Sequence, residues 1–492
     1  MNRSSADISG KSTRSDNGYN QPNDHAASSK CGRYGHATVK QWDDPPRIAL
    51  WSSVFSEFLA ALSSQFLVRR SVNPARDFKA LINPERMDDL VSKTSRFGHR
   101  YDGRDHGQYA SSIKNYTSAT KRPLNRTEQS RLMPLLQNFT ARRSWNWRSL
   151  TTTCHSLTSA GVFTPHKRVD QSVKLTQAAL LSRLLDAITF KCNQKPQVED
   201  INARGIVNLL WAMAKLVDNG QNQTPELKQA VAALLPFVNA QKDNFTPQGI
   251  ATLLLAMAKL GKLIELHVVT STFESLVCRI SDNPQLSQKD ILMSLWGVMV
   301  LCARLFLDSN ANKNNVLEKH MDDLFTRLEN TYPDNEEDRS IIAMAASWLG
   351  RACPVVPHYQ TNVSKLQADD FRAQLQSCIP SLKIEEEKSL NSLPPVDLLL
   401  PEHNMVIEIQ GPSHYVSGDF NTRKGSTLLK IALLQKAGFE VIEIPINLLM
   451  SEDSMKLCID QIKTRVDTPP QGYGSVLLKS GSTDEQYGTA YI

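Results

Sequence analysis

VDLLLPEHNMVIEIQGPSHY, residues 396–415, is the stretch whose reading decides the C-terminal fold. Two apolar runs, Val396–Leu400 and Met405–Gln410, flank Pro401-Glu402-His403-Asn404, a set of turn formers. The segment is predicted as a β-hairpin with a short loop. Polar residues interrupt the runs at Asp397, Glu408 and Gln410. Glu408 and Gln410 are two apart and leave one face of their strand, with Asp397 on the partner strand. Buried polar groups are costly without partners, so this face is expected to bind something.

Gly411-Pro412 ends the second strand, and His414-Tyr415 follow in a loop. KGSTLLKIALLQKAG (424–438) has apolar residues at helical spacing and Gly438 as a C-cap. Phe439–Ile444 alternates as a strand that Pro445 ends. The unit is β-β-loop-α-β. Asp397, Glu408, Gly411-Pro412, His414, Thr427, Lys430, Leu434, Gly438, Val441 and Ile444 stand in a family's order and approximate spacing. Segment 396–449 resembles the RAP domain, a small RNA-binding module found mostly at the C-terminus of helical-repeat proteins.

The resemblance implies a minimal PD-(D/E)xK nuclease-like, that is restriction-endonuclease-like, α/β fold. In the nucleases an Asp and a Glu on adjacent strands hold a divalent metal, and a Lys two residues after the Glu helps activate water. Asp397 and Glu408 match the carboxylates and would be the ligands of Mg2+ or Mn2+, hard ions suited to oxygen. Gln410 takes the Lys position and cannot supply positive charge to the attacking water. Lys430, on the helix, is the candidate substitute. If the domain cleaves, Asp397, Glu408, Gln410 and Lys430 are its catalytic candidates. For RNA contact, the candidates here are His414, Tyr415, Thr427 and Lys430. Nothing else in the sequence calls for a cofactor.

Upstream the chain repeats itself. INARGIVNLLWAMAKLV (201–217) aligns with FTPQGIATLLLAMAKLG (245–261) and LSQKDILMSLWGVMVLC (286–302), with periods of 44 and 41. Ile206, Ile250 and Ile291 correspond, as do Leu210, Leu254 and Leu295, at the i, i+4, i+7 spacing of a helix. Ala212, Ala256 and Gly297 put a small residue where a neighbouring helix can approach. NWRSLTTTCHSLTSAGV (146–162) is a weaker copy and DRSIIAMAASWLG (338–350) a frayed one. Second helices lie between copies, so pairs are expected at 203–240, 247–281 and 288–330, stacked as an α-solenoid. The array resembles the repeats of octotricopeptide and FAST-kinase-like proteins. If it reads bases as the octotricopeptide group is thought to, the readers would be polar residues on first helices: Asn208, Thr252 and Ser294. Trp211 and Trp296 read as core. Lys215 and Lys259 match each other near their helix ends and are candidates for phosphate contact.

The net charge of +6 conceals an asymmetry: residues 1–175 carry 27 Lys and Arg against 14 Asp and Glu, and residues 176–492 carry 29 against 36. A basic N-terminal third suits phosphates or an acidic surface, and a solvated arm has the same composition. The cysteines are scattered without a CxxC pair, and Cys154, Cys278 and Cys302 fall on apolar helix faces. Buried free thiols and no zinc site are expected. No apolar run approaches a membrane span. No Walker, dinucleotide, HExxH or nucleophile-elbow motif is present in the sequence.

The expected organisation is a disordered polar leader (1–45), a basic, partly helical region (46–143), a helical repeat array (144–364), the RAP-like domain (365–465, core 396–449) and a flexible tail (466–492). Within the basic region an amphipathic helix is predicted at 48–68 and little regular structure from 94 to 123. The fold class is mostly α: an α-solenoid of helix pairs followed by a small α/β domain, with a disordered N-terminus. The expected function is binding of single-stranded RNA. The repeats select a segment, and the RAP-like domain assists its binding or processing. Two alternatives stay open. One is a metal-dependent endoribonuclease using Asp397 and Glu408. The other is a protein-binding scaffold, or a bacterial effector delivered into a host cell, which the polar Ser-rich leader suits. Mitochondrion, chloroplast and bacterial cytoplasm are the other destinations. RNA is the expected partner and a protein the alternative, with no membrane and no small-molecule cofactor.

Overall fold

The computed structural model describes residues 102–142, 145–164, 170–194, 201–220, 225–281, 285–308, 315–331, 335–355, 365–390, 393–416, 422–467 and 475–477, besides a few isolated positions. The leader at 1–45, the predicted helix at 48–68 and most of the tail lie outside the described residues. All the described residues belong to one compact unit.

Helices α1 (Gly103–Thr120), α2 (Arg126–Arg131), α3 (Met133–Thr140), α4 (Trp147–Ser159), α5 (Gln171–Asn193) and α6 (Ala203–Asp218) open the array. It continues through α7 (Pro225–Ala240), α8 (Pro247–Leu260), α9 (Leu266–Ser281), α10 (Gln288–Phe306), α11 (Asn315–Thr326) and α12 (Glu336–Leu349). The start of each first helix is set locally. Asp102, Asn146, Asn202, Thr246, Ser287 and Asn335 each accept a hydrogen bond from the backbone N–H three residues on. Such a cap satisfies one of the helix's orphan donors.

Helices α1, α4, α6, α8 and α10 pack side by side as one layer, while α5 packs on α3 and α7, and α9 on α11. The three expected helix pairs are present, and Ile206, Leu210, Ile250, Leu254, Ile291 and Leu295 are all buried. The small-residue position has a physical reason. A β-carbon on Gly297 would lie 3.0 Å from the backbone carbonyl of Leu254, so α8 and α10 touch at their backbones.

Three expectations fail. The first is the irregular 94–123 region, because α1 occupies most of it and packs on α4. Its buried face is His106, Tyr109, Ala110, Ile113 and Tyr116. A mutual cap between Asp102 and Asp105 starts it. The second is Cys278, which is exposed while Cys154 and Cys302 are buried. The third is the tail, where Ser475–Leu477 forms a strand.

The C-terminal part contains α13 (Lys365–Cys378), β1 (Glu385–Lys388), β2 (Val396–Leu400) and β3 (Met405–Gln410). After these come α14 (Gly425–Lys436), β4 (Glu440–Pro445), α15 (Glu452–Val466) and β5 (Ser475–Leu477). The sheet order is β1-β2-β3-β4-β5, antiparallel from β1 to β3 and parallel from β3 to β5. Asn404 closes the hairpin with φ of 49°, a left-handed conformation that Asn tolerates. Gly438, at φ 96°, ends α14 while Phe439 N–H reaches back to the Leu434 carbonyl.

Strand alternation gives the sheet two different faces. Leu398, Leu400, Met405, Ile407, Ile442 and Ile444 share a core with Phe371 of α13 and Ile459 and Ile462 of α15. Leu399, Val406 and Val441 instead join the core of the helical array, together with Leu429 and Leu433 of α14. Helix α14 lies on α10 and α12. A β-carbon on Gly425 would meet Val300 at 2.9 Å, so only glycine permits this approach. At the other end, Lys436 Nζ is 3.0 Å from Glu318 and 4.7 Å from the centroid of the Trp348 ring. The α/β unit therefore caps the repeats through a shared apolar core.

Candidate functional site

The face of the sheet that meets α14 is apolar at one end and polar at the other. The pairing of Leu398 with Ile407 puts Asp397 opposite Glu408, and Glu408 pairs with Glu443 across the parallel strands. Gln410 follows two residues later on the same side. Four polar side chains thus converge on one end of the face.

Partners for them come from the loop and from α14. Lys430 Nζ lies 2.6 Å from Glu408 Oε2, while Glu408 Oε1 has no hydrogen-bond partner among the described residues. Glu408 is 2% exposed. Burial pushes its carboxyl up to about 7 against the pull of Lys430, and Asp397 and Glu443 add to the push. Asp397 accepts the Ile409 N–H at 2.7 Å, and burial raises its pKa too. Gln410 Nε2 donates to Glu443 Oε2 at 2.7 Å, and Gln410 Oε1 accepts the Tyr415 hydroxyl. Arg423 grips Glu443 with two bonds, of 2.6 and 2.7 Å. Bidentate pairing of this kind is among the stronger polar contacts in proteins.

Residues 407–447 match the family model of the RAP domain. No curated protein matches the chain. RAP domains are generally associated with RNA binding. The match runs from β3 through α14 to β4 and so includes Glu408, Gln410, Arg423, Lys430 and Glu443, while Asp397 precedes it.

Within the RAP domain, several sequence expectations need correction. The polar face does not depend on an outside ligand for its partners, because Tyr415, Arg423 and Lys430 supply nearly all of them. Gln410 and Tyr415 are each 1% exposed and belong to that internal network, so neither reaches substrate or RNA. Thr427 is buried as well, its hydroxyl donating to the His414 carbonyl at 3.0 Å. His414 is half-buried; burial first, then Lys430 and Lys424, hold its imidazole down to about 4, so the ring is neutral at pH 7.

Asp397 and Glu408 each already hold a partner within the protein. Among the described residues no group of three or more His, Cys, Asp or Glu side chains is placed to hold one. One Asp397 oxygen is committed to a backbone N–H, and Lys430 already supplies the charge opposite Glu408. The lysine of the catalytic candidates therefore neutralises a carboxylate.

In the repeats, Thr252 and Ser294 are buried, and their hydroxyls donate to the carbonyls of Gln248 and Asp290 four residues back. Neither is available to a base. Asn208 is half-buried on α6. Trp211 and Trp296 are each 5% exposed, as core residues should be. Lysines cover their rings: Lys215 Nζ lies 5.2 Å from the Trp211 centroid and Lys259 Nζ 5.9 Å from that of Trp296. Lys259 is also ion-paired with Asp218, and Lys424 Nζ reaches the Asp218 carbonyl at 3.4 Å.

These cations form a succession. Lys215 feels both Lys114 and Lys259, Lys424 feels Lys259, and His414 feels both Lys424 and Lys430. Lys114, Lys424, Arg423 and Glu443 were not among the sequence candidates. Two signals for them were available. Glu443 falls on the face that Phe439 and Val441 make apolar, so the alternation read for 439–444 fails at that residue. Lys424 stands at the start of a helix, where the dipole disfavours a cation.

Proposed function

We propose that this protein binds single-stranded RNA along the first-helix layer and against the RAP domain, and does not cleave it. The observation that carries the reading is the succession of cations from Lys114 through Lys215, Lys259 and Lys424 to Lys430, beside the polar face of the RAP domain. Cations spread over several elements suit a phosphate backbone, Lys259 and Lys430 each being paired with a carboxylate as well. The absence of cleavage is argued from Glu408, whose charge is met by Lys430, and from Gln410, which is locked to Glu443 and Tyr415. Lys430 and Gln410, the two candidates for activating water, are thereby both engaged within the protein.

The test uses the full chain and labelled single-stranded RNA, at several salt concentrations, with magnesium or with a chelator. Affinity is expected to fall linearly with salt on logarithmic axes, with a slope of roughly −0.7 per phosphate neutralised. The RNA should stay intact, and Asp397→Asn and Glu408→Gln should bind nearly as the wild type does. Magnesium-dependent cleavage that both substitutions abolish would replace this reading with a ribonuclease. Failure to bind any RNA would favour the protein-binding scaffold.

A further inference from the structure

The first-helix layer holds cations that no ion pair among the described residues neutralises. Lys114 of α1 is 5% exposed, and Lys215 of α6 is half-buried against the Trp211 ring. Burial lowers both ammonium groups to about 8; Arg204 adds repulsion at Lys114, as do Lys259 and Lys114 at Lys215. Among the described residues no carboxylate forms an ion pair with Lys114, Lys215 or Arg204, and Asp218, the acidic group that Lys215 feels, is bound to Lys259. Desolvated cations without a counter-charge destabilise a fold, so their placement here calls for an explanation.

The repeat shows how the charge is left over. Lys215 and Lys259 occupy matching positions, and Lys259 takes its partner, Asp218, from the preceding repeat. Counted from the caps Asn146 and Asn202, the residue that matches Asp218 one repeat earlier is Val162. Val162 is buried and apolar, so the position that neutralises Lys259 offers Lys215 no carboxylate.

A second, independent feature lies between these cations. His155 of α4 packs its ring on Trp211, with centroids 4.9 Å apart, and is 7% exposed. Its Nε2 has no hydrogen-bond partner among the described residues. Its charged neighbours are Lys114, Lys215 and Arg204, and they, after burial, keep the imidazole neutral. A neutral imidazole with its proton on Nε2 donates one hydrogen bond, and among the described residues no acceptor takes it.

We propose that Lys114, His155, Arg204 and Lys215 form a pocket for one phosphate group of the bound RNA, with Trp211 as its wall. A phosphate supplies what every member lacks: negative charge for three cations and an acceptor for His155 Nε2. Its several oxygens suit donors arriving from three helices. This inference rests on the RNA-binding reading above and assigns its strongest backbone contact to α1, α4 and α6.

The experiment compares full-length wild type with Lys114→Met, Lys215→Met and the double variant. RNA binding is measured across salt concentrations, and thermal melting is recorded without RNA. Methionine keeps most of the length and removes the charge. The double variant should bind at least tenfold more weakly, the loss of one phosphate contact making the salt slope shallower by roughly 0.7. Its melting temperature should be unchanged or higher, because a buried unpaired charge has been removed. Lys319→Met, an exposed lysine on α11, should leave both binding and slope as they were. If wild type binds RNA and the double variant binds with the same affinity and slope, the pocket is overturned while RNA binding stands. Loss of binding with a lowered melting temperature assigns the lysines to the fold and overturns it too. Wild type that binds no RNA removes the parent reading itself.

Discussion

Arg423→Met is expected to cost about 3–5 kcal/mol of stability at neutral pH, because it strands a buried carboxylate. Glu443 is 0% exposed, and both its oxygens are bonded to Arg423. Among the described residues the Gln410 amide alone would remain, and a neutral donor does not offset the desolvation of a full charge. The pH dependence follows from the direction of the shift. Burial already raises the Glu443 pKa against the pull of Arg423, and removing Arg423 raises it further. A carboxyl whose folded pKa lies above its unfolded value loses stability as pH rises from the unfolded toward the folded value. The deficit of Arg423→Met should therefore be largest at pH 8 and shrink toward pH 5. Urea unfolding at both pH values checks this. Adding Glu443→Gln should recover much of the loss. A deficit that is equal at the two pH values, or that survives the second substitution unchanged, would show that Arg423 acts through packing.

Leu254→Ala is expected to cost about 2–5 kcal/mol, the range for a leucine site that relaxes only partly. Leu254 is 0% exposed on α8, and its backbone already touches α10 at Gly297. With α8 and α10 in backbone contact, the layer has little room to close around the lost side chain. The measurement is the urea midpoint, with the slope of the transition expected to stay constant. Because α14 packs on α10, the RAP domain and the repeats should unfold in one transition. A loss below about 1 kcal/mol would mean that the site collapses more freely than backbone contact allows.

Much of this arrangement was legible in the residues. The periods among Ile206, Ile250 and Ile291 read correctly as stacked helix pairs, because burying one helical stripe against the next imposes a fixed spacing. The hairpin at 396–410 was readable from alternation and turn chemistry. Gly438 was readable as a cap because few other residues accept its backbone angles. Helix α1 was missed because tyrosine, histidine and small residues build its buried face. Base readers proposed at Thr252 and Ser294 failed because a short polar side chain on a helix can bond its own backbone and be buried.

By itself, the sequence determined the local and periodic features: where helices start on Asn, Thr or Ser caps, which stripes are apolar, and that Asp397, Glu408 and Gln410 share one face. Those follow from short-range geometry, which a few neighbouring residues specify. Tertiary structure alone decided which of those polar groups are satisfied. Arg423 and Lys430 reach Glu443 and Glu408 from loop and helix, closing a face that strand pattern alone made look open. It also decided that Lys259 pairs with a carboxylate while, among the described residues, Lys215 forms no ion pair, although the two lysines are sequence equivalents. Charge pairing across elements depends on where each side chain ends in space, and residues far apart in the chain set that position.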